Sequence, residues 1–409
     1  MQATPSWDVP LRAAAACRDE DMCLLYSGRE GIATGGTSFL ALNPIEVIEA
    51  ETLDALDSLS GDGYWFGYLS YELRHSTETL DATATGRMLL PRLRLVRYEN
   101  LYRFDHNDQS IEQIAGARPL PDTDYQAPTA PKTAALRSPM SKDAYLESVK
   151  ATISAIEAGD FYQANITRKF QGDWQEAPNY FGLFLRLHEA SPAPYSAYIR
   201  HGEQAILSSS PELFLTCTAD GKITSRPIKG TLPRDQDAAE LASSSKDKAE
   251  NLMIVDLMRN DLSRICTAGS VSVDNLFAVQ SFATLHHMVS SIEGTLSNNL
   301  SNSARIGACF PPGSMTGAPK IAAINWCARQ EKLDRGVYSG AIGWIRANGE
   351  MDLSVVIRTL ICDAQGFEFQ VGGGIVADSI PEQEWQETLT KARGICAALG
   401  ISTEDLAKL

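Results

Sequence analysis

The chain has 409 residues, 44% of them hydrophobic, and its 51 acidic residues outnumber 36 lysine and arginine residues to give a formal charge of −15. This length supports a large core and two or three domains, whereas an acidic chain without a basic run is a poor candidate for a nucleic-acid partner. No apolar stretch approaches the length that spans a membrane, and residues 1–10 lack the basic patch and apolar run of a secretory leader. We therefore expect a soluble, cytoplasmic protein with no membrane partner.

The eight cysteines are scattered through the chain, and none belongs to a Cys-x-x-Cys pair. Cysteine is a small, apolar side chain that is often buried when it has no partner. We expect buried thiols in a reducing compartment, not a disulfide framework or a zinc site.

The first 115 residues mix short apolar runs with turns. Residues 23–27 and 64–71 are rich in β-prone side chains, and residues 92–104 alternate apolar with polar positions. These patterns predict strands, and the best helix signal in this part covers residues 44–59. Five prolines then fall between residues 119 and 139. They predict a surface connector over residues 116–140, which separates an N-terminal subdomain (1–115) from the main core.

Residues 141–409 carry clearer signals and are predicted to form the core. Ser141 is placed to cap a helix that ends at Gly159, and Pro381 is placed in the first turn of a helix over residues 381–399. Between them, the patterns predict a helix over residues 245–266 and strands at 161–170, 194–199, 205–209, 212–218, 223–228, 338–345 and 353–362. Antiparallel strands mixed with helices, without βαβ alternation, predict the α+β class.

One lysine stands in a distinctive setting, the motif Pro227-Ile-Lys-Gly-Thr. Pro227 makes the chain extended, and Gly230 permits a tight turn or a close approach to a ligand. Lys229 lies between them without an acidic neighbour. A surface lysine is usually a solvated charge, and this motif alone leaves that interpretation open. Lysine becomes a nucleophile where burial or nearby cations lower its pKa.

Two predicted helices carry acids three residues apart, Asp247 with Glu250 and Glu384 with Glu387. Residues at this spacing share a helix face, and such pairs are most often solvated. If the two faces met, their charges would repel, and a hard divalent cation such as Mg²⁺ would relieve the repulsion. Lys391, four residues after Glu387, is placed either to pair with it or to face an anionic ligand.

Other candidates remain ambiguous from their spacing. The glycines 372–374 do not match the dinucleotide pattern, so we reject an NAD site, but they form either a tight turn or a backbone cradle for an anion. Arg358, in an apolar stretch, is either a carboxylate clamp or the partner of a protein acid. His287 and Glu212 suit acid–base roles, but each is weak evidence alone.

Taken together, these pieces resemble the chorismate-utilising enzymes, a family that includes the anthranilate, aminodeoxychorismate, isochorismate and salicylate synthases. The likeness covers roughly residues 141–395 and is thinner in the N-terminal part, where it is limited to Leu24-Leu-Tyr-Ser-Gly and Phe66-Gly-Tyr-Leu-Ser-Tyr. In chain order, the other matching motifs are Tyr162-Gln-Ala-Asn-Ile-Thr, Ser210-Pro-Glu, Pro227-Ile-Lys-Gly-Thr, Ala249-Glu-Asn-Leu-Met-Ile-Val-Asp-Leu-Met-Arg-Asn-Asp-Leu, His287-Met-Val-Ser, Pro312-Gly-Ser-Met-Thr-Gly-Ala-Pro-Lys, Gly340-Ala-Ile-Gly, Val356-Ile-Arg-Thr and Gly372-Gly-Gly-Ile-Val-Ala-Asp-Ser.

The resemblance implies a fold like that of anthranilate synthase component I: two large, mostly antiparallel sheets packed together, with helices outside and the N-terminal part wrapped into the same unit. It also implies that Glu250 and Glu387, with Asp247 and Glu384 beside them, hold Mg²⁺, and that the metal holds the ring carboxylate of chorismate. Arg358 and Tyr338, with the backbone of Gly372 and Gly374, would clamp the enolpyruvyl carboxylate.

Three residues are implied to act in catalysis, namely Lys229, Glu212, which would help the 4-hydroxyl leave, and His287, which would line the ring pocket. The residues expected at the substrate are Gln163, Gly230, Thr231, Ser314, Tyr338, Arg358, Gly372, Gly374 and Lys391. Ser314 stands where anthranilate synthases usually carry threonine, a departure that keeps the hydroxyl.

Two positions distinguish the activities of the family. Isochorismate and salicylate synthases carry a water-activating lysine where this chain has Gln163, and glutamine is too weak a base for that role. Anthranilate synthases carry a small residue where this chain has Lys229, whereas aminodeoxychorismate synthases carry lysine. The pair points to amination of chorismate at C4, which gives the precursor of 4-aminobenzoate and folate.

The source of ammonia and two alternative functions remain to be considered. No cysteine lies in a Gly-rich nucleophile elbow, so we expect ammonia to come from a separate glutamine amidotransferase subunit. The alternatives are anthranilate synthesis and a non-catalytic chorismate-binding subunit. Lys229 argues against the first, and the intact set of Glu250, Glu387, Glu212 and Arg358 argues against the second.

Overall fold

The computed structural model describes residues 7–28, 36–78, 80, 83–126, 129–133, 136–281 and 285–409. Within them, strands β1–β18 are Met22–Tyr26, Thr37–Ala50, Tyr64–Leu69, Leu93–Asp105, Ser110–Ala115, Gln163–Asp173, Tyr195–His201, Gln204–Ser210, Leu213–Cys217, Lys222–Arg226, Ile228–Pro233, Ser272–Ser281, Leu285–Thr295, Gly317–Ala318, Ala341–Arg346, Met351–Val355, Thr359–Cys362 and Gly366–Ile375. Helices α1–α9 are Val9–Ala16, Lys142–Glu157, Tyr180–Ala190, Ala238–Ser243, Ser245–Ser263, Asn302–Gly307, Lys320–Glu331, Pro381–Leu399 and Thr403–Ala407. Short 3-10 helices are Leu53–Ser58, Tyr71–Ser76 and Gly313–Met315.

The strands form two antiparallel sheets that are joined by the pairing of two long strands, β2 and β4. The first sheet runs in the order β14-β6-β18-β17-β8-β7-β1-β2. The second runs β4-β3-β15-β16-β9-β10-β13-β12, with β11 continuing β10 along β13 and β5 beside the far end of β4. Because β2 pairs with β4 over almost its whole length, the two sheets are hydrogen-bonded into one continuous network.

Three clusters of buried apolar side chains show how the layers pack. One cluster joins the first sheet to helices α1, α2, α3, α7 and α8, and a second joins the other sheet to α5 and α6. The third draws Cys23 and Ala197 from the first sheet and Phe66 and Ile342 from the second, so it fills the space between the sheets. Helices therefore cover the outer faces, and the predicted α+β class is confirmed.

The helix predicted over residues 44–59 is wrong. Residues up to Ala50 extend β2, and only Leu53–Ser58 form a helical turn, of the 3-10 type. Ile45, Val47 and Ile48 are β-branched, which favours a strand when a partner is present. The long strand β4 supplies that partner, and tertiary pairing overrides the helical spacing.

Other predicted elements are confirmed. The side chain of Ser141 accepts a hydrogen bond from the Ala144 amide and caps α2, and α8 has the predicted bounds with Pro381 in its first turn. The strand predicted over residues 353–362 is broken, because β16 ends at Val355 and β17 begins at Thr359.

The N-terminal strands belong to both sheets, since β1 pairs with β7 and β3 with β15. The described residues between β5 and α2 contain neither a helix nor one of the eighteen strands. Pro128, part of the predicted connector, and residues 1–6 lie outside the described residues. The division at residues 115 and 140 stays a prediction.

Two expectations from composition can be compared with the structure. All eight cysteines lie in the described part of the chain, and each is buried with a free thiol, as predicted. Among the helices of the described residues, none combines the length and apolarity needed to cross a membrane.

Candidate active site

Two predicted site residues meet at Gly374, near the end of β18. A Cβ atom at this glycine would lie 2.8 Å from Nε2 of Gln163 and 3.3 Å from Nζ of Lys229. Gln163 begins β6, which pairs with β18, and Lys229 lies on β11 of the other sheet. A side chain at position 374 would displace the end of Gln163 and crowd Lys229, so glycine leaves the space between them open.

The preceding glycine faces the acids of α8. A Cβ atom at Gly373 would lie 3.0 Å from Oε2 of Glu384 and 3.8 Å from Oε1 of Glu387. Lys391 donates from Nζ to the Gly372 carbonyl at 2.8 Å and forms an ion pair with Oε1 of Glu387 at 2.6 Å. The glycine run therefore packs against the carboxylates of α8, and of the two alternatives for Lys391 the structure shows the ion pair with Glu387.

The acids of α5 face the same space from the other sheet. Gly230 has φ +80°, and a Cβ there would lie 2.9 Å from Cγ of Asp247. Burial raises the pKa of Glu250, while Lys229 and Lys246 lower it and the charges of Glu387 and Asp247 raise it further. The charge of Glu387 acts on Glu250, so the acids of the two helices lie near each other, which is the condition that the spacing left open.

Magnesium fits this donor set. In the described residues, no three His, Cys, Asp or Glu side chains converge to hold a metal ion by themselves. Mg²⁺ commonly uses one or two carboxylates and completes its shell with water and substrate oxygens, so Glu250 and Glu387 are sufficient protein ligands. A bound Mg²⁺ would relieve the repulsion between these two carboxylates, which Lys229 and Lys246 offset in part.

The surroundings of Lys229 lower the pKa of its amine. Burial lowers the pKa of Lys229, and the charge of Lys391 lowers it further, whereas the carboxylates of Glu250, Glu212 and Glu387 raise it. The net shift is downward, which is the direction that a lysine nucleophile requires.

Glu212 is suited to donate a proton. It is only 5% exposed, and burial raises its pKa to about 7, against the lowering effects of a hydrogen bond from Ser314 and of the charges of Lys229 and Lys391. A large fraction of this side chain is therefore the neutral acid near pH 7. Ser314 lies in the short helix Gly313–Met315, so the predicted ring pocket and the predicted acid are in contact.

His287 and Arg358 border the same region. The Nδ1 atom of His287 and the hydroxyl of Thr231 are hydrogen-bonded at 2.9 Å. Burial lowers the pKa of His287 to about 3, with help from the charge of Arg358, so this histidine is neutral at physiological pH. Arg358 has φ +51° in the break between β16 and β17, a conformation that is uncommon for a residue with a side chain.

The charge of Arg358 is only partly balanced. Burial lowers its pKa, and Glu212 is the acid that opposes this shift. Because Glu212 has a raised pKa and is neutral part of the time, Arg358 lacks a permanent anionic partner. A half-buried guanidinium in this state suits a substrate carboxylate, which is the role that the resemblance implies.

Tyr338 is buried at the edge of the site, but the charges that act on its hydroxyl are those of Arg335 and Glu331 rather than Arg358. Arg335 is 1% exposed and donates to the carbonyl oxygens of Asn165 and Met315, both at 2.7 Å. Sequence reasoning missed Arg335, although it stands three residues before Tyr338.

Sequence reasoning also missed Lys246. Its Nζ lies 3.9 Å from Oε1 of Glu250. Its position four residues before Glu250 was a usable signal.

Comparison with known proteins identifies the class to which this site belongs. Residues 16–397 match the family model described as chorismate binding enzyme. The chain belongs to this family, and the resemblance found in the sequence is confirmed.

Among curated relatives, aminodeoxychorismate synthase component 1 of Salmonella typhimurium is 38% identical over 89% of this chain and 84% of its own length. The Escherichia coli protein of the same name is 36% identical over 87% of this chain and 83% of its own length. Among solved structures, anthranilate synthase component I from Streptococcus pneumoniae is 28% identical, with a TM-score of 0.78 over 88% of this chain and 92% of that chain. A menaquinone-specific isochorismate synthase from Escherichia coli, at 17% identity, TM-score 0.74 and 98% and 92% coverage, shares the fold alone.

Proposed function

We propose that this chain converts chorismate and ammonia to 4-amino-4-deoxychorismate. The observation that carries the proposal is that the side chains of Lys229 and Gln163 both end next to Gly374. Relatives named aminodeoxychorismate synthase component 1 favour the same activity over anthranilate synthesis. Because those names number the protein as one component, we further propose that a glutamine amidotransferase subunit supplies the ammonia.

The substrate is a dianion, and the site offers two places for its carboxylates. Arg358 would take the enolpyruvyl carboxylate, because its guanidinium lacks a permanent partner. Glu250 and Glu387 would hold Mg²⁺, which supplies Lewis-acid charge for the ring carboxylate. Lys391 would keep Glu387 oriented towards the glycine run through its two contacts.

The first chemical step would use Lys229 and Glu212. The neutral amine of Lys229 attacks C2 of the ring, the double bonds shift, and the C4–oxygen bond breaks. Glu212 gives its proton to the departing hydroxyl, so water leaves and a covalent adduct remains. The pKa of Glu212 is raised and the pKa of Lys229 is lowered, and both shifts are in the direction that this step needs.

In the second step, ammonia would attack C4, and the bond between C2 and Lys229 would break, so Lys229 leaves as a neutral amine. The ammonium group that forms at C4 would give a proton to the Glu212 carboxylate, which restores the acid, and the net reaction replaces a hydroxyl by an amine. Water is a poor competitor, because Gln163 occupies the position of the base that would activate it.

Product analysis tests this proposal. Purified chain, chorismate, Mg²⁺ and an ammonium salt should give aminodeoxychorismate by mass spectrometry, and addition of a pyridoxal-phosphate lyase should convert that product to 4-aminobenzoate. Anthranilate as the product would favour the alternative synthase, and unchanged chorismate would favour a binding subunit.

The proposed partner and location have a separate basis. The purified chain should use ammonium salts but not glutamine, and glutamine-dependent product from the chain alone would refute the separate amidotransferase. We also propose a cytoplasmic location, because eight buried free thiols suit a reducing compartment.

A further inference from the structure

A buried arginine on β6, Arg168, has no hydrogen-bond partner in the described part of the chain. The side chain is 1% exposed, and none of its three nitrogen atoms makes a hydrogen bond. Burial lowers the pKa of Arg168 to about 9, and Tyr145 is the one described group that opposes this shift. The guanidinium is therefore charged at neutral pH, and no described carboxylate balances its charge.

Aromatic rings take the place of acidic partners around this guanidinium. Its central carbon, Cζ, lies 3.7 Å from the ring centre of Trp385 on α8, 4.7 Å from that of Phe170 and 5.8 Å from that of Tyr145 on α2. Trp385 is itself only 1% exposed. Attraction between a cation and an indole ring is strongest where water is excluded, so this stack holds Trp385 against β6.

Trp385 lies beside the acids of the proposed metal site. It follows Glu384 directly and precedes Glu387 by two residues on α8, and both carboxylates face Gly373. On the strand side, Arg168 pairs with Val371, the residue before the glycine run. One side chain therefore joins the helix that carries the acids to the strand pair that carries the glycines.

The stability of the fold does not account for a charge at this position. A buried charge without hydrogen bonds is costly, and an apolar side chain of similar volume in its place is often neutral or stabilising. Methionine would fill much of the same space and leave no nitrogen atoms without partners. The guanidinium differs from methionine in being planar and charged, and these are the properties that the stack on Trp385 uses.

We propose that Arg168 is a positioning residue of the metal site: its stack on Trp385 fixes the rotation of α8 that directs Glu384 and Glu387 at the glycine run. Residues that orient metal ligands from outside commonly change metal affinity or activity by about 10–100-fold. This inference rests on the proposed function, because the Mg²⁺ site belongs to the proposed reaction.

Calorimetric titration with Mg²⁺ alone, together with urea denaturation, tests the role without any turnover. Arg168→Met should raise the Kd for Mg²⁺ by about tenfold, while the urea midpoint stays the same or rises. A residue that only supports the fold would lower the urea midpoint and leave the Kd unchanged. Arg168→Lys keeps the charge but not the planar stack, so it should restore Mg²⁺ affinity only in part.

A matched control and a double variant make the test specific to the stack. Arg97 lies 5.8 Å from the ring centre of buried Trp65 in the second sheet, and Arg97→Met should leave the Kd for Mg²⁺ unchanged. Trp385→Leu should weaken Mg²⁺ binding, and adding Arg168→Met to it should weaken binding no further, because the two side chains act as one unit.

An unchanged Kd for Mg²⁺ in Arg168→Met would overturn the inference, as would full affinity in Arg168→Lys or losses that add up in the double variant. If Trp385→Leu does not fold, the comparison of Arg168→Met with Arg168→Lys and Arg97→Met decides. If the native chain itself binds no Mg²⁺, the metal site of the proposed function fails and this inference fails with it, which is a different result from a native affinity that Arg168→Met leaves intact.

Discussion

Two buried polar side chains next to β6, Arg335 and Gln163, differ in whether the protein itself supplies their hydrogen-bond partners. Arg335 donates to Glu331, Met315 and Asn165, so its guanidinium is fully engaged by the protein. Gln163, at the start of the same strand, is 0% exposed, yet neither of its amide atoms has a partner. The protein supplies every hydrogen-bond partner of the Arg335 guanidinium, whereas the Gln163 amide gains partners only when a ligand binds.

This difference separates residues that support the site from residues that use it. A buried charge without its partner costs several kcal/mol, so the protein has little freedom to leave Arg335 unpaired. At the candidate site, a bound ligand would supply the hydrogen-bond partners that Gln163 lacks. On this account, removal of a supporting residue lowers stability, and removal of a ligand-facing residue lowers activity.

The largest effect is expected from the acids of the metal site. Glu250→Gln and Glu387→Gln should each abolish turnover, because Mg²⁺ and the ring carboxylate lose their anchor. Isothermal titration should show that both variants lose Mg²⁺ binding while their melting temperatures stay close to the native value. Full activity of either variant, or of the native chain in excess EDTA, would contradict the assignment.

Lys229 comes next. Lys229→Ala and Lys229→Arg should both lower aminodeoxychorismate formation by about 10³-fold or more, because neither supplies a neutral amine. Product analysis by mass spectrometry measures the effect, and some anthranilate-type product is expected with alanine. If arginine keeps much of the activity, the role of Lys229 is electrostatic rather than nucleophilic.

Glu212→Gln should reduce kcat by roughly 10²–10⁴-fold, the usual worth of a general acid. In the native chain, kcat/KM should fall as pH rises above about 7, where Glu212 loses its proton. The variant should lack this alkaline limb. A native profile that stays flat through pH 8.5 would contradict the acid role.

The same group has a signature in stability. Its pKa is raised from 4.5 to about 7 in the folded chain, so the folded state binds more protons than the unfolded state across that interval. The free energy of unfolding should therefore fall as pH rises from 4.5 to 7, and Glu212→Gln should flatten that slope. Denaturant titrations at several pH values measure it.

The smallest effects test the comparison itself. Glu331→Gln removes the acid that Arg335 contacts at 2.7 and 2.9 Å, and should cost about 3–5 kcal/mol of stability. Gln163→Met keeps the volume and removes unpaired polar atoms, so stability should change by less than about 1 kcal/mol while activity falls. Urea denaturation of both variants measures the two changes in the free energy of unfolding. Equal destabilisation would contradict the division into supporting and ligand-facing residues.

Much of the fold could be predicted from local pattern. The cap at Ser141 and the first-turn proline at Pro381 define helix ends through short-range chemistry, and the alternation of residues 92–104 defines most of β4. The error at residues 44–59 has a long-range cause, because only the distant strand β4 makes this segment a strand. The break between β16 and β17 that contains Arg358 has no local sequence signal. The positive φ of Arg358 arises where the chain leaves one sheet and enters the other.

The site divides in the same way. The i,i+3 acids and the motif around Lys229 were visible as patterns, and their placement in one site required the glycines 372–374 to bring two sheets together. Of the Arg335 contacts, the one with Glu331 had a signal in its four-residue spacing, whereas those with Asn165 and Met315 could not be predicted, because these partners come from distant elements.

The central claim is that Lys229 forms a covalent bond to the substrate, and intact-mass spectrometry tests it directly. Native chain mixed with chorismate and Mg²⁺, then quenched before ammonia is added, should gain the mass of chorismate less one water. Digestion should locate this mass on the peptide that contains Lys229, and Lys229→Ala should lack it. If no adduct is found in a sample that makes aminodeoxychorismate once ammonia is added, the covalent route is contradicted.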